Sequence, residues 1–310
     1  MSPAGRPIGA HLPLAAGMVR AADRAAEIGA TAIQVFADNP SAWRRRDEPA
    51  TELPAFRARL TGHGVNAVAI HAAYLINLAG PDDEFREKSI GVLAAELAAA
   101  PGYGARVVNV HTGSHRESGL EIGIERLADG IARAFELADE PDASERDARR
   151  PILALENAAG GGSTIGSTIE ELAMVAEAAA RHAVQPDRLA FCLDTAHLWA
   201  AGHEIDRPEG VDAVLAAFER ELGLERLVLV HLNDSKSGLG SRSDRHEHLG
   251  AGSIGEVGLG HLLRQPALEH VTFILETPRM DEGFDALNVG RARDLLAGRP
   301  LAPLPAAAVA

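Results

Sequence analysis

The chain has 310 residues, of which 46% are hydrophobic, and this composition excludes a largely disordered protein. No apolar run approaches the 18 or so residues of a membrane-spanning helix, and the first residues lack the basic and apolar stretches of a signal peptide. The single cysteine, Cys192, excludes an intramolecular disulfide, so we expect a cytoplasmic protein that does not contact membranes. The net charge of −14 is unlike that of a general nucleic-acid binder, although net charge says little about a local site.

Short apolar runs alternate along the chain with longer amphipathic stretches. The runs predict eight strands, at Pro7–His11, Ala32–Phe36, Ala67–His71, Arg106–His111, Ile152–Glu156, Leu189–Asp194, Leu227–His231 and Thr272–Glu276. The stretches predict helices at Met18–Ile28, Leu53–His63, Asp83–Ala100, Leu120–Leu137, Ile169–His182, Val211–Leu222, Leu259–Leu263 and Phe284–Leu296. Eight strand–helix repeats in about 300 residues favour an α/β fold of the closed (β/α)8 TIM-barrel type over an open, doubly wound sheet.

The chain shows no linker that would divide it into two domains. Residues 1–300 are therefore predicted to form a single TIM-barrel domain. The charged segment Glu140–Arg150, which contains a proline, is predicted to be a surface loop. The last segment, Leu301–Ala310, is rich in proline and alanine and is predicted to be a disordered tail.

Six consecutive predicted strands, the third to the eighth, end in a residue that can bind a metal ion. These residues are His71, His111, Glu156, Asp194, His231 and Glu276. In this fold the active site lies at the C-terminal ends of the strands. One such residue alone is more often part of a loop or a core, but six converging ionisable groups would repel one another or stay poorly solvated without cations. The donor set suits Zn²⁺ and is acceptable to Mn²⁺ or Fe²⁺.

Three more candidate ligands follow in the loops after the sixth and seventh strands. His197 comes three residues after Asp194, which is about one helical turn. Asp244 and His246 are two residues apart, a spacing that puts both on one side of an extended segment. Nine ligands suffice for three zinc ions if one carboxylate bridges two of them.

The candidate ligands lie in strings that resemble the endonuclease IV family of apurinic/apyrimidinic endonucleases. The resemblance runs in order from about Ile8 to Leu296. The principal strings are His71-Ala-Ala-Tyr-Leu-Ile-Asn-Leu78, His111-Thr-Gly-Ser114, Leu155-Glu-Asn-Ala-Ala-Gly160, Cys192-Leu-Asp-Thr-Ala-His197, His231-Leu-Asn-Asp-Ser-Lys236 and Asp244-Arg-His-Glu-His-Leu-Gly250.

This resemblance implies a site of three zinc ions with Glu156 as the bridging ligand. The implied sets are His71, His111 and Glu156 for the first ion, Glu156, Asp194, His231 and Glu276 for the second, and His197, Asp244 and His246 for the third. Glu156 and Glu276 are the expected catalytic residues. The implied activity is hydrolysis of the phosphodiester 5′ to an abasic site in duplex DNA, which leaves a 3′-hydroxyl, together with removal of groups that block 3′ ends.

Residues that contact DNA are expected near the metal site. The candidates are Trp43, Arg44, Tyr74, Lys236 and Arg245, and the basic run Arg44–Arg46 is expected either to be solvated or to hold phosphates. Ser41 stands where many family members have an arginine that enters the duplex. We expect the protein to act as a monomer.

Two other functions remain open at the level of the sequence. A sugar isomerase or epimerase on the same barrel resembles this chain in using Glu156, Asp194, His231 and Glu276 around one divalent ion. Such an enzyme has no need of the five other candidate ligands, which favours the nuclease. The second alternative is a zinc-loaded protein that binds damaged DNA without hydrolysing it.

Overall fold

Eight parallel strands form a closed barrel in the computed structural model, which describes residues 5–46, 48–139 and 150–309. The strands are β1 Ile8–His11, β2 Ala32–Val35, β3 Ala67–His71, β4 Val107–His111, β5 Ile152–Glu156, β6 Leu189–Asp194, β7 Leu227–His231 and β8 Thr272–Leu275. Each strand pairs with the next along the chain, and β8 closes the barrel against β1. The predicted TIM barrel is confirmed, and each predicted strand lies within one residue of its observed limits.

Helices follow the strands along the chain, and most of them connect one strand to the next. They are α1 Met18–Glu27, α2 Leu53–Gly62, α3 Asp83–Tyr103, α4 Leu120–Ala138, α5 Ile169–Arg181, α6 Thr195–Ala201, α7 Pro208–Glu221, α8 Gly255–Leu263, α9 Phe284–Leu296 and α10 Ala306–Val309. The short helix α6 was not predicted, because seven residues are too few to establish a periodic pattern. It begins where the Asp194 side chain accepts a hydrogen bond from the backbone N–H of His197, at 2.9 Å.

The barrel interior contains a small apolar layer beneath a polar one. Five buried residues form a separate cluster there: Ala32, Ala154, Cys192, Leu229 and Ile274. Side chains two residues apart on a strand point to the same face, so the next inward-facing positions lie one layer nearer the C-terminal mouth. Those positions are occupied by Gln34, Glu156, Asp194, His231 and Glu276. Strand alternation alone thus brings four predicted ligands and one amide into a single layer.

A larger apolar core lies between the barrel and the surrounding helices. Phe56, Phe191, Phe218 and Phe273 are among its largest fully buried side chains. Among the described residues, no helix combines the length and the apolar character needed to cross a bilayer.

The C-terminal segment differs from the predicted disordered tail. Arg291 donates a hydrogen bond to the carbonyl of Ala302 at 2.6 Å, and Arg279 donates one to the carbonyl of Ala308 at 2.7 Å. Leu301 packs against the large apolar core. Composition alone could not indicate that these distant arginines bind the backbone of the segment. Most of the predicted loop Glu140–Arg150 lies outside the described residues.

The barrel leaves no room for a side chain at Gly9 on β1, where an added Cβ would lie 1.8 Å from the carbonyl oxygen of Ala32. We predict that Gly9→Ala lowers the free energy of unfolding by about 1–3 kcal/mol, because the strands must move apart. Urea unfolding measures this change. The control is Gly91→Ala in α3, where an added Cβ meets open space and helix propensity should raise stability by about 1 kcal/mol. Equal effects of the two changes would contradict the prediction.

Candidate metal centre

The nine predicted metal ligands surround one cavity at the C-terminal mouth of the barrel. The cavity has a volume of about 270 Å³. Seven of the nine line it: His71, His111, Glu156, His197, Asp244, His246 and Glu276. The other two, Asp194 and His231, are fully buried beside them. Ligands from the ends of six strands, from α6 and from the segment that follows β7 therefore meet in one place.

The first group of donors forms where β3, β4 and β5 end. The Nε2 atoms of His71 and His111 lie 3.6 and 3.4 Å from Oε2 of Glu156. Asn109 on β4 donates a hydrogen bond of 2.5 Å to that same oxygen. The three ligand atoms lie within 4.8 Å of one another, close enough to share one ion.

The second group lies deeper and shares Glu156 with the first. Nδ1 of His231 lies 3.3 Å from Oε1 of Glu156, 3.2 Å from Oε2 of Glu276 and 3.9 Å from Oδ2 of Asp194. The two oxygens of Glu156 face different groups of donors, so this carboxylate would offer one ligand atom to a metal ion in each group.

The third group lies at the loop that follows β7. Asp244 approaches two imidazoles, with its oxygens 3.1 Å from Nε2 of His197 and 3.1 Å from Nε2 of His246. Oδ2 of Asp194 also lies 3.5 Å from Nε2 of His246. Asp194 thus stands between the second and third groups, a position that the sequence did not reveal.

Four of the five imidazoles are oriented by a hydrogen bond from one ring nitrogen, while the other nitrogen approaches a carboxylate of the site. Nδ1 of His71 donates to the carbonyl of Ala72, and Nδ1 of His197 donates to that of Asn157. Nδ1 of His246 donates to the carbonyl of Glu276, and the three distances are 2.7–2.9 Å. In His231 the roles are reversed, and Nε2 donates to the side chain of Gln34 at 3.0 Å. Imidazoles that bind metals are held in this way, with the second nitrogen fixed by a carbonyl or carboxylate.

Two buried nitrogen atoms support the fit of these residues to metal ions. Nδ1 of His231 and Nε2 of His246 have no hydrogen-bond partner among the described residues, although both face carboxylate oxygens. Buried polar atoms are seldom left unpaired unless they have a function. Donor atoms that share a tetrahedral ion at about 2.0–2.1 Å lie about 3.3 Å apart. The close donor pairs described above, at 3.1–3.9 Å, lie near this value.

The site is strongly charged when it binds no cation. Burial alone would raise the pKa of Glu156, but His231 and His111 hold it well below its usual value. Burial opposes the charged form of His246, yet Asp194 and Asp244 raise its pKa to about 9. In the metal-free protein, the proton of His246 therefore supplies positive charge where a metal cation would bind.

Comparison with known proteins identifies the family. Residues 22–298 match the family described as "xylose isomerase-like TIM barrel". "Probable endonuclease 4" of Methanoculleus marisnigri is 40% identical over 288 residues, which cover 93% of this chain and 98% of that protein. The crystal structure of endonuclease IV from Thermus thermophilus is 40% identical, with a TM-score of 0.80, and the match covers 94% of this chain and 99% of that one.

The chain belongs to the endonuclease IV family. The predicted family and the prediction of a nuclease are confirmed. Sugar-modifying proteins share its architecture more distantly: a D-tagatose 3-epimerase-like protein matches with a TM-score of 0.65 at 15% identity, which shows a common fold alone.

Amide side chains around the ligands of this endonuclease IV chain were missed by the sequence analysis. Asn157 accepts a hydrogen bond from the backbone N–H of Asp194 at 2.6 Å. Asn233 donates to Oδ2 of Asp194 at 2.7 Å and accepts from the backbone N–H of Glu276 at 2.9 Å. Both asparagines lie within the motif strings, one and two residues after a predicted ligand, and that proximity was the available signal.

The predicted DNA contacts occupy different environments. Tyr74 is 59% exposed and stands at the mouth of the cavity, and Arg44, Lys236 and Arg245 are also exposed. Nζ of Lys236 lies 3.7 Å from Oε2 of Glu247. Trp43 is half-buried, and its ring packs edge-on against Phe85 of α3 at 4.8 Å. Trp43 thus anchors its loop to the barrel.

The basic run Arg44–Arg46 does not face solvent as a unit. Arg45 turns inward and pairs with buried Glu96 on α3 at 3.2 Å, and it donates to the carbonyls of Asn39 and Ala42. Arg46 lies 3.6 Å from Asp38. The expectation that the whole run is available to phosphates is therefore wrong for Arg45, because its charge is used to fix the loop.

We predict that metal binding to the metal-free protein at pH 7 releases protons, because His246 holds a proton up to about pH 9 and must lose it to bind a cation. The apparent affinity should accordingly rise with pH below 9. Calorimetric titration with zinc in buffers of different ionisation heat measures the release. A binding heat that does not depend on the buffer would contradict the prediction.

Proposed function

We propose that this endonuclease depends on metal ions and cleaves duplex DNA on the 5′ side of abasic sites, leaving a 3′-hydroxyl. Membership in the endonuclease IV family supports the nuclease activity. The observation that carries the metal dependence is the convergence of nine imidazole and carboxylate donors. Among them, Nδ1 of His231 and Nε2 of His246 have no hydrogen-bond partner in the described part of the chain. Removal of groups that block 3′ ends is part of the same proposal, because those groups are attached through the same kind of bond.

We propose that the site holds three Zn²⁺ ions, with Mn²⁺ or Fe²⁺ as substitutes. The ligand sets are His71, His111 and Glu156, then Glu156, Asp194, His231 and Glu276, then His197, Asp244 and His246. Bound zinc ions neutralise phosphoryl oxygens and lower the pKa of bound water towards 7. The carboxylate and imidazole composition of the three groups supports zinc.

Glu156 and Glu276 are the proposed catalytic residues. Glu156 is 1% exposed and presents one oxygen to each of two donor groups, so it fixes their separation and orients the attacking oxygen between them. Glu276 lies at the cavity wall, with Oε2 towards His231 and Oε1 held by Gln34. Burial would raise the pKa of both carboxylates, but the neighbouring His231 lowers it, and both pKa values lie well below the usual range. Both carboxylates are therefore ionised.

The substrate is bound at the rim of the same cavity. The exposed ring of Tyr74 is placed to pack against a nucleotide drawn into the mouth. Arg44, Lys236 and Arg245 supply positive charge for backbone phosphates, and Trp43 holds the loop that carries Arg44. We further propose that the protein acts as a monomer in the cytoplasm, where its one cysteine stays reduced.

The direct test is incision of a duplex that contains one abasic site, with and without a chelator. The same metal-loaded sample is assayed for interconversion of a ketose and an aldose. We expect incision that the chelator abolishes and no sugar conversion. Sugar conversion without incision would favour the isomerase, and binding of the duplex without incision would favour a damage-binding protein.

We predict that Glu276→Gln reduces the incision rate by several orders of magnitude, on the scale of metal-site changes, while the fold is retained. The substitution keeps the shape of the side chain and removes its charge. Single-turnover cleavage measures the rate, and circular dichroism checks the fold. A loss below about tenfold would show that Glu276 is not catalytic.

Asp244→Asn tests the third donor group separately. We predict slow cleavage with little change in the affinity for an abasic duplex, because phosphate contacts elsewhere supply much of the binding. Cleavage rate and equilibrium binding are measured at the same salt concentration. Cleavage at the wild-type rate would show that the third donor group takes no part in the reaction.

A further inference from the structure

We infer that Gln34 is a positioning residue that orients His231 and Glu276 for metal binding. The inference rests on the proposed metal site and adds a residue to which no role has been given. Gln34 is fully buried on β2, in the same layer of the barrel as Glu156, Asp194, His231 and Glu276. Of these five residues, it alone has no ionisable group.

The carbonyl of Gln34 determines which nitrogen of His231 carries the proton. Oε1 of Gln34 lies 3.0 Å from Nε2 of His231, and a carbonyl oxygen can only accept. Nε2 must therefore be protonated, and the lone pair of a neutral His231 lies on Nδ1. This is the atom that faces Glu156 and Glu276 and has no hydrogen-bond partner among the described residues.

The amide nitrogen of Gln34 fixes the second ligand. Nε2 donates to Oε1 of Glu276 at 2.7 Å, and Nδ1 of His11 lies 3.2 Å from the same oxygen. Both of these contacts use Oε1 of Glu276. The other oxygen, Oε2, lies 3.2 Å from Nδ1 of His231. Glu276 is thus oriented to offer one oxygen.

The two contacts also settle the orientation of the Gln34 amide. If oxygen and nitrogen were exchanged, the carbonyl would face the Glu276 carboxylate at 2.7 Å, and two acceptors would repel each other. One neutral side chain on β2 therefore fixes two ligands, one on β7 and one directly after β8. No ionised residue could donate and accept in this way without adding charge to the layer.

The test compares Gln34→Met with Thr31→Val. Methionine has nearly the length of glutamine but makes neither hydrogen bond. Thr31 precedes the same strand at the opposite end of the barrel, where its hydroxyl bonds to the backbone of Ile8, so Thr31→Val controls for a lost hydrogen bond near β2. Zinc release is measured by competition with a chromophoric chelator.

We expect Gln34→Met to release one ion about 10–100-fold more readily than wild type, as is typical when a residue that orients a metal ligand is lost. The remaining ions and all the ions of Thr31→Val should be released as in wild type. The turnover rate should fall without a change in KM for an abasic duplex, and excess zinc should restore part of it. Wild-type zinc affinity in Gln34→Met would overturn the inference.

A measurement on the unmodified chain covers the case in which Gln34→Met does not fold. The ¹⁵N chemical shifts of the His231 ring in the zinc-loaded protein should show a proton on Nε2 and zinc on Nδ1. The opposite assignment would overturn the inference. A wild-type protein that shows the expected shifts but does not incise abasic DNA would contradict the proposed function and leave the role of Gln34 intact.

Discussion

The structure depends on one constraint, the burial of carboxylates and imidazoles in a single layer of the barrel. Strand alternation puts Glu156, Asp194 and His231 above a small apolar layer, where all three are almost fully buried. Buried ionised groups are costly unless they are paired or bind metal ions. The mutual pairing of protonated imidazoles with carboxylates meets this requirement in the metal-free protein, and divalent cations meet it with better coordination.

Orientation of the ligands is built into the backbone and a few amide side chains. The carbonyls that accept from His197 and His246 belong to Asn157, which follows Glu156, and to Glu276, so these ligands help to orient one another. His71 is held instead by the carbonyl of the adjacent Ala72. Such a network holds the donors in place before any ion binds.

Much of this arrangement could be predicted from the sequence, and what could not has physical reasons. Strand periodicity and ionisable residues at strand ends indicated both the barrel and its candidate ligands. Gln34 escaped notice because its importance depends on partners about 200 residues away, and an inward-facing glutamine has no characteristic local pattern. Arg45 looked available because its partner, Glu96, lies on a distant helix. Contacts between distant segments are not encoded in local patterns.

The central claim is that the nine donors form one cluster for three metal ions. It is tested most directly by crystals of the zinc-loaded protein, with anomalous diffraction recorded on both sides of the zinc absorption edge. We predict three zinc peaks at the barrel mouth, each about 2.0–2.2 Å from its ligand atoms, with Glu156 shared between two of them. A single peak that persists after the crystals are soaked in excess zinc would contradict this claim.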